Sequence, residues 1–384
     1  MNKPSFKKPH LNSLTGLRFF AAIYIVLFHH GNALCIFGAS VCNLISYGYI
    51  SVSLFFILSG FVLSYVYLDT ENIHPVNKRK FWIARFARIY PLYLLSLILS
   101  FPSFASMIQD FVGSFIANLG VLFSAFLSLL LLQSWTPWTS TLWNTPAWAV
   151  SNEAFFYFIF PLVAIPLARQ NTKKIIISAA LLQILALLPA FIYLISLKIE
   201  PSLSSSSLWL SFFAYSPFFH LPQFLIGVCI GLLYTKRAAG KLEFTFSPIK
   251  SFLLLGVLYF FASAVLTNSG FLYVLLTTGM LAPLFCIVIW YLAENKGWLS
   301  KSLALPKILI LGEASYAIYL FQNPLLSFMK RIPIKLLGIN PAAIPFSDLI
   351  FLCLYMLVLI LFSILATYYI EIPLRRIVIN RFNQ

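Results

Sequence analysis

Long apolar runs separated by short polar breaks recur along the whole chain, and each approaches the ~20 residues that a helix needs to cross a bilayer. The first is LTGLRFFAAIYIVLFHHGNAL, residues 14–34. Others lie near 48–68, 147–167, 174–197, 211–235, 251–267, 271–293, 307–329 and 347–370. Residues 89–133 contain enough apolar sequence for two crossings, but the charges on either side require an odd number. One full span plus an interfacial or re-entrant piece meets that requirement. The pattern predicts an all-α integral membrane protein of about ten transmembrane helices around a central cavity. No loop is long enough for a soluble domain and no internal repeat is visible. Residues 1–384 therefore read as a single membrane-embedded domain with its core over 14–376.

The first span carries polar groups near both ends, Arg18 at one and His29 with His30 at the other. Such groups are costly inside a membrane and usually face a partner or a wet cavity. At about 100° per residue, the eleven steps from Arg18 to His29 make three turns plus about 20°, so the two share a face roughly 16 Å apart. His30 points about 120° away from Arg18. His29 is the one base on this stripe that titrates near neutral pH. A similar argument applies to EASYAIYLFQNPLL in the 307–329 run. A seven-residue spacing closes about two turns, so Ser315 and Gln322 share one stripe, and Tyr316 and Asn323 another.

Composition fixes the solvent. Hydrophobic residues make up 61% of the chain and charged residues 9%, which excludes a soluble domain of 384 residues. The net charge of +16 does not indicate nucleic acid, because the basic residues cluster in short loops beside apolar runs. Lys3, Lys7 and Lys8, the five Lys or Arg between 78 and 88, and Arg169, Lys173 and Lys174 mark the cytoplasmic side. Both termini then lie in the cytoplasm, in a multi-pass protein of the inner (cytoplasmic) membrane. The first span is expected to be retained, because no cleavage pattern follows it. Uncharged, Trp-rich 134–147 falls outside. Only the loop with Lys330, Arg331 and Lys335 runs against the rule. Cys229, Cys286 and Cys353 lie in apolar spans as packing residues. Cys35 and Cys42 share the first outer loop, where a disulfide and two free thiols are equally compatible with the sequence. No metal-binding spacing is present.

The candidate chemistry is one cavity with two ends. Arg18, Arg85 and Arg88 suit a phosphorylated ligand at the inner mouth, where Arg85 and Arg88 stand side by side on a helix. From spacing alone, a lipid-facing basic edge explains that pair better than a phosphate clamp does. His29 in the outer half is a general base, with Glu153, which enters from the outside in the first turns of its span, as its companion. Glu153 also complements a helix amino terminus. Tyr157 lies one turn below. Gln322 and Asn323 add hydrogen-bonding groups, and aromatic residues such as Trp143 either stack on sugar rings or belong to the interfacial belt.

These residues carry a family resemblance. LTGLRFFAAIYIVLFHH resembles the opening of the acyltransferase 3 family, an LDGLR-type motif with a His eleven residues after the Arg. ARFARIYPLY is similar to the family's cytoplasmic Arg-x-x-Arg segment. FFILSGFVLS, WNTPAWAVSNEAFFYFIFP, SYAIYLFQNPLL and the terminal EIPLRR resemble further blocks in family order. The resemblance implies transfer of an acyl group, commonly acetyl, from acyl-CoA as co-substrate to a hydroxyl of an extracytoplasmic or lipid-linked glycan. It implies His29 and Glu153 as catalytic residues and Arg18, Arg85 and Arg88 as the acyl-CoA site. Trp143, Asn152, Tyr157, Tyr316, Gln322 and Asn323 would face the acceptor. Two positions depart from the pattern: Thr15 replaces the usual Asp, and Gln322 stands where many members have His. With no hydrolase-like domain appended, the chain is expected to complete transfer alone or to pass the acyl group to a partner. General-base and acyl-histidine routes stay open. The rival class is a flippase or transporter of lipid-linked sugars or other polyanions, which lacks support from inverted repeats or broken helix pairs.

Overall fold

A computed structural model describes residues 9–68, 76–110, 115–199, 207–240, 269–332 and 347–383. Among these residues every regular element is helical. Eight helical stretches are long and apolar enough to cross a membrane: Asn12–Phe37, Ala39–Tyr67, Lys78–Ser106, Thr145–Ala168, Thr172–Ile199, Leu208–Ala238, Gly270–Ala293 and Asp348–Phe382. The expected span at 251–267 lies outside the described residues.

The chain begins with α1 (Asn12–His30), α2 (Ala39–Ser46) and α3 (Ser51–Tyr67). Cys35 and Cys42, between α1 and the end of α2, form a disulfide. α4 (Lys78–Asp110) continues through Pro91 and Pro102, whereas α5 (Phe115–Leu129) is too short to cross. α6 (Trp148–Ala168), α7 (Thr172–Ile199), α8 (Ser207–Tyr215) and α9 (Pro217–Ala238) follow. α10 (Ser269–Thr278) and α11 (Ala282–Ala293) make one span, and α12 (Trp298–Leu303) is a short connector. The run at 307–329 is two helices, α13 (Pro306–Glu313) and α14 (Ser315–Ile332). α15 (Ser347–Ala366) passes through a π-helical turn, Thr367–Glu371, into α16 (Ile372–Asn383).

Hydrogen bonds between helix ends define the end of the bundle at which α1 starts. Tyr65 near the end of α3 donates to Pro9 O at 3.1 Å, and Ser13 of α1 donates to Leu292 O in the last turn of α11 at 2.6 Å. Tyr234 of α9 donates to Ala293 O at 2.7 Å, Arg237 pairs with Glu294, and Lys236 donates to Gln170 O at 2.7 Å. Basic side chains thus gather at this end. The bundle is tightest where α3 crosses α9. A Cβ on Gly60 would lie 2.0 Å from Phe224 O, so this backbone approach requires glycine.

As the charges required, residues 89–133 hold one helix long enough to cross and one shorter piece. Tyr90 and Tyr93 of α4 donate to Leu129 O (3.2 Å) and Ser128 O (2.5 Å), so α5 returns beside α4 and stops within the bundle. The uncharged segment 134–147 is folded in part against the helices, with Gln133, Ser134, Thr139, Ser140 and Asn144 buried while Trp138 is exposed. Asn144 Nδ2 donates to Ser96 Oγ (3.2 Å) and Leu320 O (3.1 Å), and Trp143 Nε1 donates to Leu97 O (3.0 Å). Ser, Thr, Asn and Gln side chains supply the partners that let irregular backbone sit inside a membrane protein. α6 follows directly from this segment, so its first turns, including Trp148 to Asn152, are buried from the start.

Candidate functional site

α1 joins two cavities. The first lies towards its amino-terminal end, is about 100 Å³ in volume, and is lined by Arg18, Arg85, Arg88, Glu153, Tyr157 and Tyr316. Ser59, Ser315 and Tyr319 complete its polar wall. Five helices contribute, so residues far apart in sequence meet. Tyr157 donates to Glu153, and Ser59 Oγ donates to the same carboxylate at 3.4 Å. Tyr316 OH donates to Ile89 O at 2.8 Å, which pins α14 to α4. Arg85 donates to Tyr67 OH at 3.3 Å, and its guanidinium lies 5.6, 6.0 and 5.8 Å from the ring centres of Tyr67, Phe81 and Tyr157. Arg18 and Arg88 interact electrostatically with Glu153 and with Glu371 on the π-helical turn. Three arginines lining the wall against one lining carboxylate leave positive charge in excess. In a partly desolvated site that excess favours an anion with oxygens arranged for guanidinium forks.

The second cavity, about 540 Å³, lies at the carboxyl-terminal end of α1. His29, His30, Asn32, Lys330, Asp348 and Tyr355 supply its polar surface, with Leu326, Leu349 and Leu352 among its apolar wall. His30 Nε2 is 3.1 Å from Asn323 Oδ1, an amide oxygen that accepts a hydrogen bond from this nitrogen in the tautomer protonated there. The His30 ring also meets Tyr355 edge-on at 5.6 Å. His29 is exposed, with Phe28 edge-on at 4.8 Å and the His30 ring at 5.8 Å.

Several placements differ from the sequence reading. The single cavity is two cavities, because Ala22, Ile25 and Val26 of α1 pack with Ala317, Ile318, Leu320 and Phe321 of α14 in one buried cluster between the ends. Glu153 accompanies the arginines and does not reach His29. His30 shares the cavity with His29 despite the helical-wheel offset. The wheel fails there because α1 ends at His30 and the cavity wraps around the helix terminus. Tyr157 and Tyr316 line the arginine cavity, and Asn323 touches it nowhere but binds His30. Trp143, Asn152 and Gln322 line neither cavity. Trp143 stacks on Phe104 at 4.5 Å. Asn152 accepts from Ser134 at 2.7 Å and donates to Tyr215 O at 3.1 Å. Gln322, fully buried, donates to Tyr319 O at 2.9 Å. Asn152 and Gln322 thus bond to neighbouring groups of the bundle, and Gln322 Oε1 is buried without a partner among the described residues. Ser59, Tyr319, Glu371, Lys330 and Asp348 were not singled out for the site; for Lys330 the available signal was its violation of the charge rule. Among the described residues no group of three or more His, Cys, Asp or Glu is placed to hold a metal ion.

A family model described as an acyltransferase domain, that of the acyltransferase 3 family, matches residues 11–368. The chain belongs to the acyltransferase 3 family. The match covers both cavities and every helix that lines them. Acyltransferase MdmB of Streptomyces mycarofaciens is 29% identical over 233 residues, 58% of this chain and 57% of that protein. The putative peptidoglycan O-acetyltransferase YrhL of Bacillus subtilis is 23% identical over 382 residues, 95% of this chain and 55% of its own. The O-acetyltransferase OatA of Staphylococcus aureus is 23% identical over 343 residues, 84% of this chain and 51% of its own. The chain therefore spans little more than half the length of these three relatives. No solved structure matches. Family membership and the helical bundle together make this a multi-pass membrane protein of an acyltransferase family.

Proposed function

We propose that the protein lies in the inner membrane with both termini in the cytoplasm. There it moves an acyl group, acetyl in the first instance, from cytoplasmic acyl-CoA to a hydroxyl of an extracytoplasmic or lipid-linked glycan. The observation that carries this reading is the segregation of function along α1: arginines gather at the basic end of the bundle, and histidines open into a larger cavity at the other. Arg18, Arg85 and Arg88 hold the phosphates of acyl-CoA, and the packing of α1 against α14 between the two cavities must part for the pantetheine arm to bring the thioester to His29. Glu153, braced by Tyr157 and Ser59, holds the arginines in register. The acceptor lies in the histidine cavity. His29 takes the proton of the acceptor hydroxyl as its oxygen attacks the thioester carbonyl. The C–S bond then breaks, and the imidazolium returns the proton to the departing thiolate. If the acyl group rests first on the imidazole nitrogen, the same bonds form and break in two steps. The acetyl group and glycan acceptor draw support from the O-acetyltransferases among the relatives.

The test is to incubate the purified protein in lipid nanodiscs with acetyl-CoA labelled in the acetyl group and with isolated glycan. The expected result is release of free CoA together with label on glycan. Glycan movement across a vesicle membrane without label transfer would replace the enzyme by a carrier.

A further inference from the structure

The sequence placed Lys330 against the distribution of charge, and the structure gives that lysine a position. Counting back by sevens along α14, Lys330, Asn323 and Tyr316 fall on one stripe, each about 10 Å from the next. Tyr316 lines the arginine cavity, Asn323 binds His30, and Lys330 lines the histidine cavity. Lys330 is exposed to that cavity and acts electrostatically on His30. Asp348 at the start of α15 lines the same cavity, yet among the described residues the two make no ion pair. A lysine and an aspartate that share a cavity of about 540 Å³ without closing on each other are two separate contact points. An ammonium offers three donors to an anion, whereas a carboxylate only accepts and so suits hydroxyl groups. The apolar wall of Leu349 and Leu352 suits the face of a sugar ring or an alkyl chain.

We infer that the histidine cavity binds an acceptor carrying an anionic group, which Lys330 engages while Asp348 accepts from its hydroxyls. Accepting the reading of this cavity as the acceptor site, the inference narrows the substrate class to acidic hydroxylated molecules. The rise of about two helical turns between Asn323 and Lys330 leaves room for a sugar ring between the anion and the histidines. The anion has two sources, a carboxylate on the sugar itself or the phosphate that links a sugar to its lipid carrier, and both present oxygens to the same ammonium.

Binding, measured apart from acyl transfer, tests this with three probes on the full protein in nanodiscs. The probes, used below their micellar concentrations, are octyl glucoside, octyl glucuronide and the octyl phosphodiester of glucose. At least one acidic probe is expected to bind roughly tenfold tighter than octyl glucoside, the scale of one charge-assisted contact. Preference for the glucuronide assigns the anion to the sugar, and preference for the phosphodiester assigns it to the lipid link. Lys330→Gln and Lys330→Ala should each reduce the preference to about unity, and added salt should weaken it in the wild type. Octyl glucoside affinity in each variant reports that the cavity is intact. Equal or tighter binding of the neutral probe by the wild type overturns the inference. So does an acidic preference that survives both substitutions. Because no acyl group is involved, failure of the acyltransferase reading appears separately, as binding preference without label transfer.

Discussion

His29→Ala is expected to lower acyl transfer at least about 10²-fold, the lower end for removal of a general base. The loss should be larger if the imidazole carries the acyl group. His29 opens into the larger cavity with no hydrogen-bonding partner among the described residues, so its ring nitrogens are available to an acceptor hydroxyl. His30 is different. One of its nitrogens is committed to Asn323, and its ring is braced against Tyr355. His30→Ala and Asn323→Ala remove the same hydrogen bond, so each should cost up to about tenfold, and the double variant little more than either alone. The measurement is labelled product per unit of membrane-inserted protein, with acyl-CoA binding as the control for folding. Near wild-type transfer by His29→Ala removes this residue from the mechanism. Multiplying losses in His30→Ala/Asn323→Ala would show that the two act independently.

The arginine cavity should behave differently under substitution. Arg88→Ala and Arg18→Ala are each expected to raise the acyl-CoA concentration for half-maximal rate by roughly 10- to 100-fold, the range for losing a charge-assisted contact. The maximal rate should change far less, because neither residue reaches the histidine cavity. Arg85 carries an additional constraint, since its guanidinium stacks among Tyr67, Phe81 and Tyr157. Arg85→Lys keeps the charge but loses the planar fork and should rescue only in part. Unchanged donor affinity in Arg85→Ala/Arg88→Ala would return the pair to the role of a basic membrane edge.

Much of this arrangement was legible in the residues. The Arg18–His29 spacing gave a polar stripe on one helix, and the two residues indeed open into the cavities at its ends. Arg85 and Arg88 were legible as a pair through their three-residue spacing. What periodicity could not supply was the partner across the interface. A helical wheel fixes a side chain's direction from its own axis but carries no depth for the neighbouring helix. Glu153 was therefore paired with His29, whereas its carboxylate lines the cavity of Arg18, Arg85 and Arg88. The same lack of partners left open where Asn152, Trp143 and Gln322 sit, and they line neither cavity. Within a bilayer, irregular backbone needs internal donors and acceptors as much as a ligand does. Glu371 opens the EIPLRR block, but no spacing in the sequence linked it to Arg18 and Arg88, with which it interacts electrostatically from a helix distant in sequence.

The central claim is that donor and acceptor occupy opposite ends of α1, and sided proteoliposomes test it most directly. Protein reconstituted in one orientation is given labelled acetyl-CoA on one face and glycan acceptor on the other. The account predicts label on glycan only when acetyl-CoA is at the Arg18 face and glycan at the His29 face. Product formed equally well with both substrates confined to one face would contradict it.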